Sequence, residues 1–349
     1  MSNGDFDADD FGFVEAYDEV VKTDDRLLPE NSAVSAIKCG FVGVGGGGGK
    51  LAKAFLDAGF TKTILVNTTT KDQPNGVDPA HFLLIPGADG VGKDIHLGRK
   101  VLAENSALVE DALRTRLGKV EWLFVLLGGG GGTGSAGFAL DDTFKRYLKS
   151  SEASGRVFYI ISRPTAQELL NLTIAQNYEA ALKSVSADPH MVLDNERQLQ
   201  LLRGKVGMLD MFPTANKNFA KLFAQVLKLA SEHSSIQTFD SKDLEKCLGT
   251  PGRHVIGSTI VKDVTRSDLG ATIFQGCLKS SPCPMTSGQS ETGVLLLVAT
   301  EQMASDPDVS KRLEASFSYV GGRTKTLFSG VYVKEGLPGL IAITMVGGC

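Results

Sequence analysis

Residues 122–137 read Trp122-Leu-Phe-Val-Leu-Leu-Gly-Gly-Gly-Gly-Gly-Thr-Gly-Ser-Ala-Gly137. The unbroken apolar run Trp122–Leu127 has the pattern of a parallel strand buried on both faces. The glycines that follow form a loop from which backbone N–H groups and a helix N-terminus can face an anion. A tight turn would not need five glycines in succession plus Thr-Gly-Ser. Thr133 and Ser135 add hydroxyl donors, and a Cβ at Gly131 or Gly134 would occupy space that a phosphate needs.

The same arrangement occurs upstream, where the apolar run Ile37–Val44 ends in Gly43-Val-Gly-Gly-Gly-Gly-Gly-Lys50. By itself this first loop is ambiguous. It fits the dinucleotide pattern G-x-G-x-x-G through Gly43, Gly45 and Gly48, and it superficially suggests a P-loop. The P-loop pattern would require Gly in place of Val44 and a hydroxyl in place of Leu51. The dinucleotide pattern asks for an acid at the end of the second strand, where Asn67-Thr-Thr-Thr70 stands and Asp72 is the available substitute. Two phosphate cradles on neighbouring strands would instead grip the two ends of a polyphosphate.

Working outward, strand and helix alternate. Thr63–Val66, His81–Ile85, Val157–Ile161 and Met191–Leu193 are further strands, and Lys50–Ala58 and Arg99–Leu117 are helices. After Pro213 a long helix carries Phe219, Leu222, Phe223, Val226, Leu227 and Ala230 on one stripe. His254–Val261, Val294–Ala299, Gly330–Val333 and Leu340–Val346 are strands of a smaller α+β unit with a largely antiparallel or mixed sheet. The predicted fold class is α/β: a Rossmann-like doubly wound nucleotide domain, a long central helix and a smaller C-terminal α+β domain. The expected division is 1–34, 35–211, 212–235 and 236–349. Residues 1–34 hold ten acids against Lys22 and Arg26. Phe13, Val14, Tyr17, Val20 and Val21 recur at helical spacing within them, so this acidic extension reads as a short amphipathic helix or a solvated arm.

Composition narrows the function. A formal charge of −4 gives no basic footprint, so no direct nucleic-acid binding is expected. No apolar run is long enough to span a membrane, and the acidic N-terminus is not a secretory signal. The five cysteines are scattered without a Cys-x-x-Cys pair, which fits a reducing, cytoplasmic setting. The five histidines show no paired metal-ligand spacing, and no metal-ligating residue is assigned.

From about Ile37 to the C-terminus the sequence resembles the FtsZ/tubulin family, and stands closer to bacterial FtsZ than to eukaryotic tubulin. Gly130-Gly131-Gly132-Thr133-Gly134-Ser135 matches the family signature Gly-Gly-Gly-Thr-Gly-[ST]-Gly, broken only at Ala136. Gly45, Gly46, Gly47, Gly48 and Lys50 resemble its first nucleotide loop. Val66-Asn67-Thr resembles its Val-Asn-Thr-Asp, with Thr69 replacing the acid, and Gly90-Val-Gly92 resembles the loop at the terminal phosphate. The resemblance makes Glu168 the ribose ligand, Asn195 the reader of guanine, and Phe212 and Asn216 the stacking and polar contacts to the base. Leu172 stands where the family has an Arg. Thr238-Phe-Asp240-Ser-Lys-Asp243 resembles the carboxylate loop that reaches a neighbouring subunit's nucleotide. Read without the glycine loops, the same acids are more simply a helix N-cap and its first turn.

The resemblance implies a cytoskeletal GTPase binding GTP or GDP with Mg2+ and assembling head to tail with itself, with an adaptor as a possible further partner. Its tasks would be cell division or plasmid and phage DNA positioning. Division is the less expected of these, since no linker and partner-binding tail follow the last strand. The alternatives are a non-hydrolysing regulatory homologue and an NAD-binding oxidoreductase.

Overall fold

Within each apolar run, alternate side chains serve different cores. The computed structural model describes residues 26–150, 156–284 and 289–349. Among these, the strands are β1 (Cys39–Val44), β2 (Thr63–Asn67), β3 (Phe82–Leu84), β4 (Trp122–Gly128), β5 (Arg156–Arg163), β6 (His190–Asp194), β7 (Arg253–Val261), β8 (Ser290–Ala299), β9 (Thr324–Val333) and β10 (Leu340–Gly347). The helices are α1 (Gly45–Asp57), α2 (Ile95–Glu104), α3 (Ser106–Ala112), α4 (Gly132–Ser135), α5 (Asp141–Ser150), α6 (Leu172–Val185), α7 (Asn195–Leu202), α8 (Met211–Leu229), α9 (Ser241–Leu248), α10 (Leu269–Ser280), α11 (Glu301–Ser305) and α12 (Pro307–Gly321). The strands form one mixed sheet in the order β3-β2-β1-β4-β5-β6-β7-β10-β8-β9.

Phe41, Phe124, Leu126, Phe158 and Ile160 turn to one face, where Leu51 and Phe55 of α1 and Phe219, Phe223 and Leu227 of α8 cover them. Val42, Val44, Val125, Leu127 and Tyr159 turn to the other, under α2, α3 and α5. Burying each such side chain is worth about 1.5–3 kcal/mol, so the double coverage holds the parallel strands in place. Phe124 and Phe223 meet edge to face at 5.1 Å, fixing α8 against the sheet centre.

From β3 to β6 every neighbouring pair is parallel. Chain order runs outward both ways from β1 and β4, so the topological switch point lies between them, and both glycine loops leave the sheet there. The sheet then crosses to β7 through only two residue pairs, His190 with Arg253 and Met191 with His254. Beyond that seam it is mixed: β10 is antiparallel to β7 and β8, and β8 is parallel to β9. The core under α8 continues across the seam to Leu244, Leu248, Val294, Leu296 and Met345.

Two features differ from the sequence reading. The single helix expected over Arg99–Leu117 is α2 and α3 followed by a π turn, with the break at Asn105. The Asn105 amide donates to the carbonyls of Val101 and Pro86, competing locally with the helix ladder. Residues 26–34 pack against the parallel half of the sheet and its helices. Leu28 is buried, its N–H donates to Arg116 O, and Lys62 Nζ donates to Leu28 O. Phe13, Val14, Tyr17, Val20 and Val21 lie outside the described residues. Leu28→Ala should lower the unfolding free energy by about 2–4 kcal/mol, measured by urea denaturation, because it empties a fully packed site; an unchanged midpoint would mean that the segment is not anchored there.

Candidate functional site

The carboxyl ends of β1 and β4 lie side by side, with Gly43 in register with Leu126 and Val44 with Leu127. The loops that follow pack backbone on backbone. A Cβ at Gly48 would come within 2.1 Å of Leu126 O, one at Gly45 within 2.6 Å of Gly134 N, and one at Gly134 within 2.5 Å of Gly128 O. Gly45 also has φ +71°, which a larger residue adopts only with strain. Gly131 differs, since a Cβ there would meet nothing within 4 Å. It faces open space. Val44 gives the first N–H groups of α1 no side-chain acceptor, and Gly131 gives those of α4 none. Two helix N-termini without side-chain caps therefore stand together at the switch point.

The other sequence motifs meet around this pair. A Cβ at Gly132 would strike Val91 and Asp94, which packs the Gly90–Gly92 loop against the second cradle, and Gly132 N donates to Gly92 O. A Cβ at Gly130 would meet Pro164 and Ile174, so the loop after β5 borders it as well. Thr133 and Thr68 share a buried hydroxyl hydrogen bond of 2.9 Å, tying the second glycine loop to the segment after Asn67. Ser135 is turned inward, its hydroxyl donating to Gly128 O at 3.4 Å, so it supports the loop from within.

Lys50 of α1 and Phe212 and Asn216 of α8 line one groove of about 660 Å3, together with Pro74 and Asn75. Phe212 is 41% exposed at the head of its helix, with Asn216 one turn below on the same side. Glu168 and Asn195 are not among its walls. The Glu168 carboxylate accepts from Thr165 N at 2.7 Å and the Thr165 hydroxyl at 2.9 Å, closing its own turn. Asn195 opens α7 directly after Asp194, whose carboxylate caps the helix through Arg197 N and pairs with Arg163 at 2.6 Å.

Asp72, weighed in the sequence only as a ribose partner, comes to the first loop, where a Cβ at Gly46 would lie 2.9 Å from its Oδ2. The Thr69 hydroxyl donates to Asp89, and Lys71 with Thr69 holds the Asp89 carboxyl below its ordinary range. Among the described residues no three His, Cys, Asp or Glu side chains converge as a metal cage. One or two carboxylates beside a phosphate are the donor set that Mg2+ takes, and the Asp72 carboxylate at the first glycine loop fits it. Only the chain's path after β2 brings Asp72 here, and no spacing rule signals that.

Asp240 and Asp243 lie past the far end of α8, whose 19 residues span about 28 Å. Asp240 Oδ1 accepts from Lys242 N at 2.8 Å and Asp243 N at 3.0 Å, which makes it the N-cap of α9. Partial burial and the charge of Asp240 raise the Asp243 carboxyl above its usual value.

Fold and loops thus define a doubly wound α/β protein with two glycine cradles at one switch point. No family model matches the chain. It is 22% identical over 243 residues to the cell division protein FtsZ of Neisseria meningitidis, an alignment covering 68% of this chain and 59% of that protein. The chain therefore spans less than two thirds of that relative's length. Among solved structures, a GTPγS-form protofilament of Bacillus thuringiensis serovar israelensis TubZ matches with TM-score 0.73 and 18% identity, covering 90% of this chain and 89% of that one. A GTPγS-bound protofilament of Haloferax volcanii CetZ2 matches with TM-score 0.71 and 22% identity, covering 89% and 93%. The chain thus has the fold of the TubZ and CetZ2 structures, and its sequence match is to FtsZ.

The two conspicuous glycines of the second loop should separate cleanly. Gly131→Val should fold normally and lose nucleotide affinity. Gly134→Val, whose Cβ would strike the Gly128 carbonyl, should lose about 1–3 kcal/mol of stability as well. Thermal melts paired with nucleotide titrations check this; equal stability of the two variants would contradict the packing account.

Proposed function

We propose that this chain binds GTP and GDP with Mg2+, polymerises head to tail in the cytoplasm, and hydrolyses GTP where two subunits meet. The observation that carries the reading is the pair of glycine loops packed against each other, open at Gly131 and flanked by the groove of Lys50, Phe212 and Asn216. Backbone N–H groups of Gly45–Gly48 and Gly130–Gly134 would hold the phosphates, and the Phe212 ring would stack on the base. Glu168 and Asn195 would give the sugar and guanine contacts, and Asn67, Gly90 and Gly92 would border the terminal phosphate. Asp72 would hold Mg2+, which neutralises charge on the phosphate oxygens.

Asp240 and Asp243 lie a helix length from that groove, too far to serve their own subunit's nucleotide. A second copy stacked on the nucleotide face would deliver the pair to it, where carboxylates can position the attacking water. The face around Glu168 and Phe212 carries Leu170, Leu172, Met208 and Leu209 at 86%, 70%, 85% and 91% exposure, an apolar rim suited to being covered by another subunit. Repetition of such a heterologous contact gives a filament.

Phosphate release per subunit should rise with protein concentration above a threshold, and polymer should sediment with GTP and not with GDP. Asp240→Asn keeps a good N-cap, so it should melt like the parent protein and release phosphate about 100-fold more slowly. Asp240→Ala should also lose about 1 kcal/mol of stability. Undiminished hydrolysis by Asp240→Asn would reduce that carboxylate to a helix cap, and absence of hydrolysis at any concentration of the parent protein would favour a non-hydrolysing scaffold.

A further inference from the structure

The narrow seam between β6 and β7 opens on one side of the sheet into a cavity of about 560 Å3, separate from the nucleotide groove. Its polar lining is Arg163, Tyr178, Ser186, His190 and Arg253, its apolar wall includes Leu182 and Val192, and Cys349 is also part of it. Arg253 spends Nη2 on the Pro284 carbonyl at 2.7 Å, while its Nε–H is buried without an acceptor. The Tyr178 hydroxyl also has no hydrogen-bond partner among the described residues. Arg163 is paired with Asp194 at 2.6 Å, whereas Arg253 has no ion pair among the described residues. His190, buried and beside Arg253, has its imidazole held below the usual range, so it is neutral at pH 7 and offers a nitrogen rather than a second charge. A buried guanidinium N–H without an acceptor is a standing cost that an oxyanion would remove.

We infer that this cavity is a binding site for a small anion bearing a phosphoryl or carboxylate group, held by Arg253 Nε and the Tyr178 hydroxyl with Arg163 at its rim. Such a ligand would join β5 and α6 to β7 across a seam that two residue pairs otherwise hold. It would also touch the nucleotide loops at one remove. A Cβ at Gly129 would lie 2.7 Å from the Tyr178 ring, and Asp194, the partner of Arg163, caps the helix that begins at Asn195. The site stands whether or not the glycine loops hold guanine nucleotide.

Cys349 supplies a local reporter, because it is exposed and the other four cysteines are buried. The rate at which a neutral maleimide modifies Cys349 should be measured in the full chain with inorganic phosphate or with succinate at millimolar concentration. Saturable protection is expected from at least one of the two: phosphate alone assigns a phosphorylated ligand, succinate alone a carboxylate. Arg253→Lys keeps the charge and removes the Nε–H, and Tyr178→Phe removes only the hydroxyl. Each should weaken protection at least about tenfold, the usual worth of a hydrogen bond to a charged group. Gly131→Val should leave protection intact, which separates this site from phosphate bound at the glycine loops. Lack of protection by either anion, or protection that both Arg253→Lys and Tyr178→Phe retain, overturns the assignment.

Discussion

Everything about the site depends on two loops approaching closer than side chains would allow. β1 and β4 are adjacent and parallel, so the segments that leave them start a single strand spacing apart, and helix α1 must begin in that gap. The gap closes only because the contact is backbone to backbone, Gly48 against Leu126 and Gly45 and Gly128 against Gly134. Gly45, Gly47, Gly48 and Gly128 therefore serve the packing of one loop on the other. Gly131 alone of those in the second loop faces unoccupied space. The result is two helix N-termini without side-chain caps brought to one place, an arrangement that larger residues could not crowd so tightly.

Much of this was legible in the sequence because the deciding signals are local. Continuous apolar runs ending in glycine mark parallel strands that feed phosphate-facing turns, and the strands at Trp122–Leu127, Val157–Ile161 and Met191–Leu193 lie where those runs predict them. The stripe on α8 was equally plain, since a helical repeat of Phe219, Leu222, Phe223, Val226 and Leu227 has no competing period. Other features depend on tertiary approach. Nothing near Asn105 in the sequence shows that its amide will reach Pro86, and nothing near Asp72 shows that its carboxylate will stand over Gly46. The inward turn of Ser135 and the anchoring of Leu28 are also decided by what packs around them. The cavity at the seam joins residues from α6, β5, β6 and β7 that share no motif, so it is visible only in three dimensions.

The long helix sets the remaining logic. Its first turn carries Phe212 and Asn216 at the groove beside Lys50, and the carboxylates Asp240 and Asp243 lie just past its other end. In a single chain the two proposed halves of the site are thus separated by a helix about 28 Å long, which no side-chain motion spans. Asp240 meanwhile caps α9, so one residue serves the fold within its own subunit and, in the proposed assembly, chemistry in the next.

Mixing two defective proteins tests that shared site most directly. Asp243→Asn removes an acid and leaves the nucleotide site intact, whereas Gly131→Val blocks the nucleotide site and keeps both acids. If the site is completed by a neighbour, and Gly131→Val subunits can still add to a filament end, the mixture should release phosphate from GTP faster than the sum of the two proteins measured separately. A mixture that gives only the sum, with Asp243→Asn alone hydrolysing at the parent rate, would contradict the account.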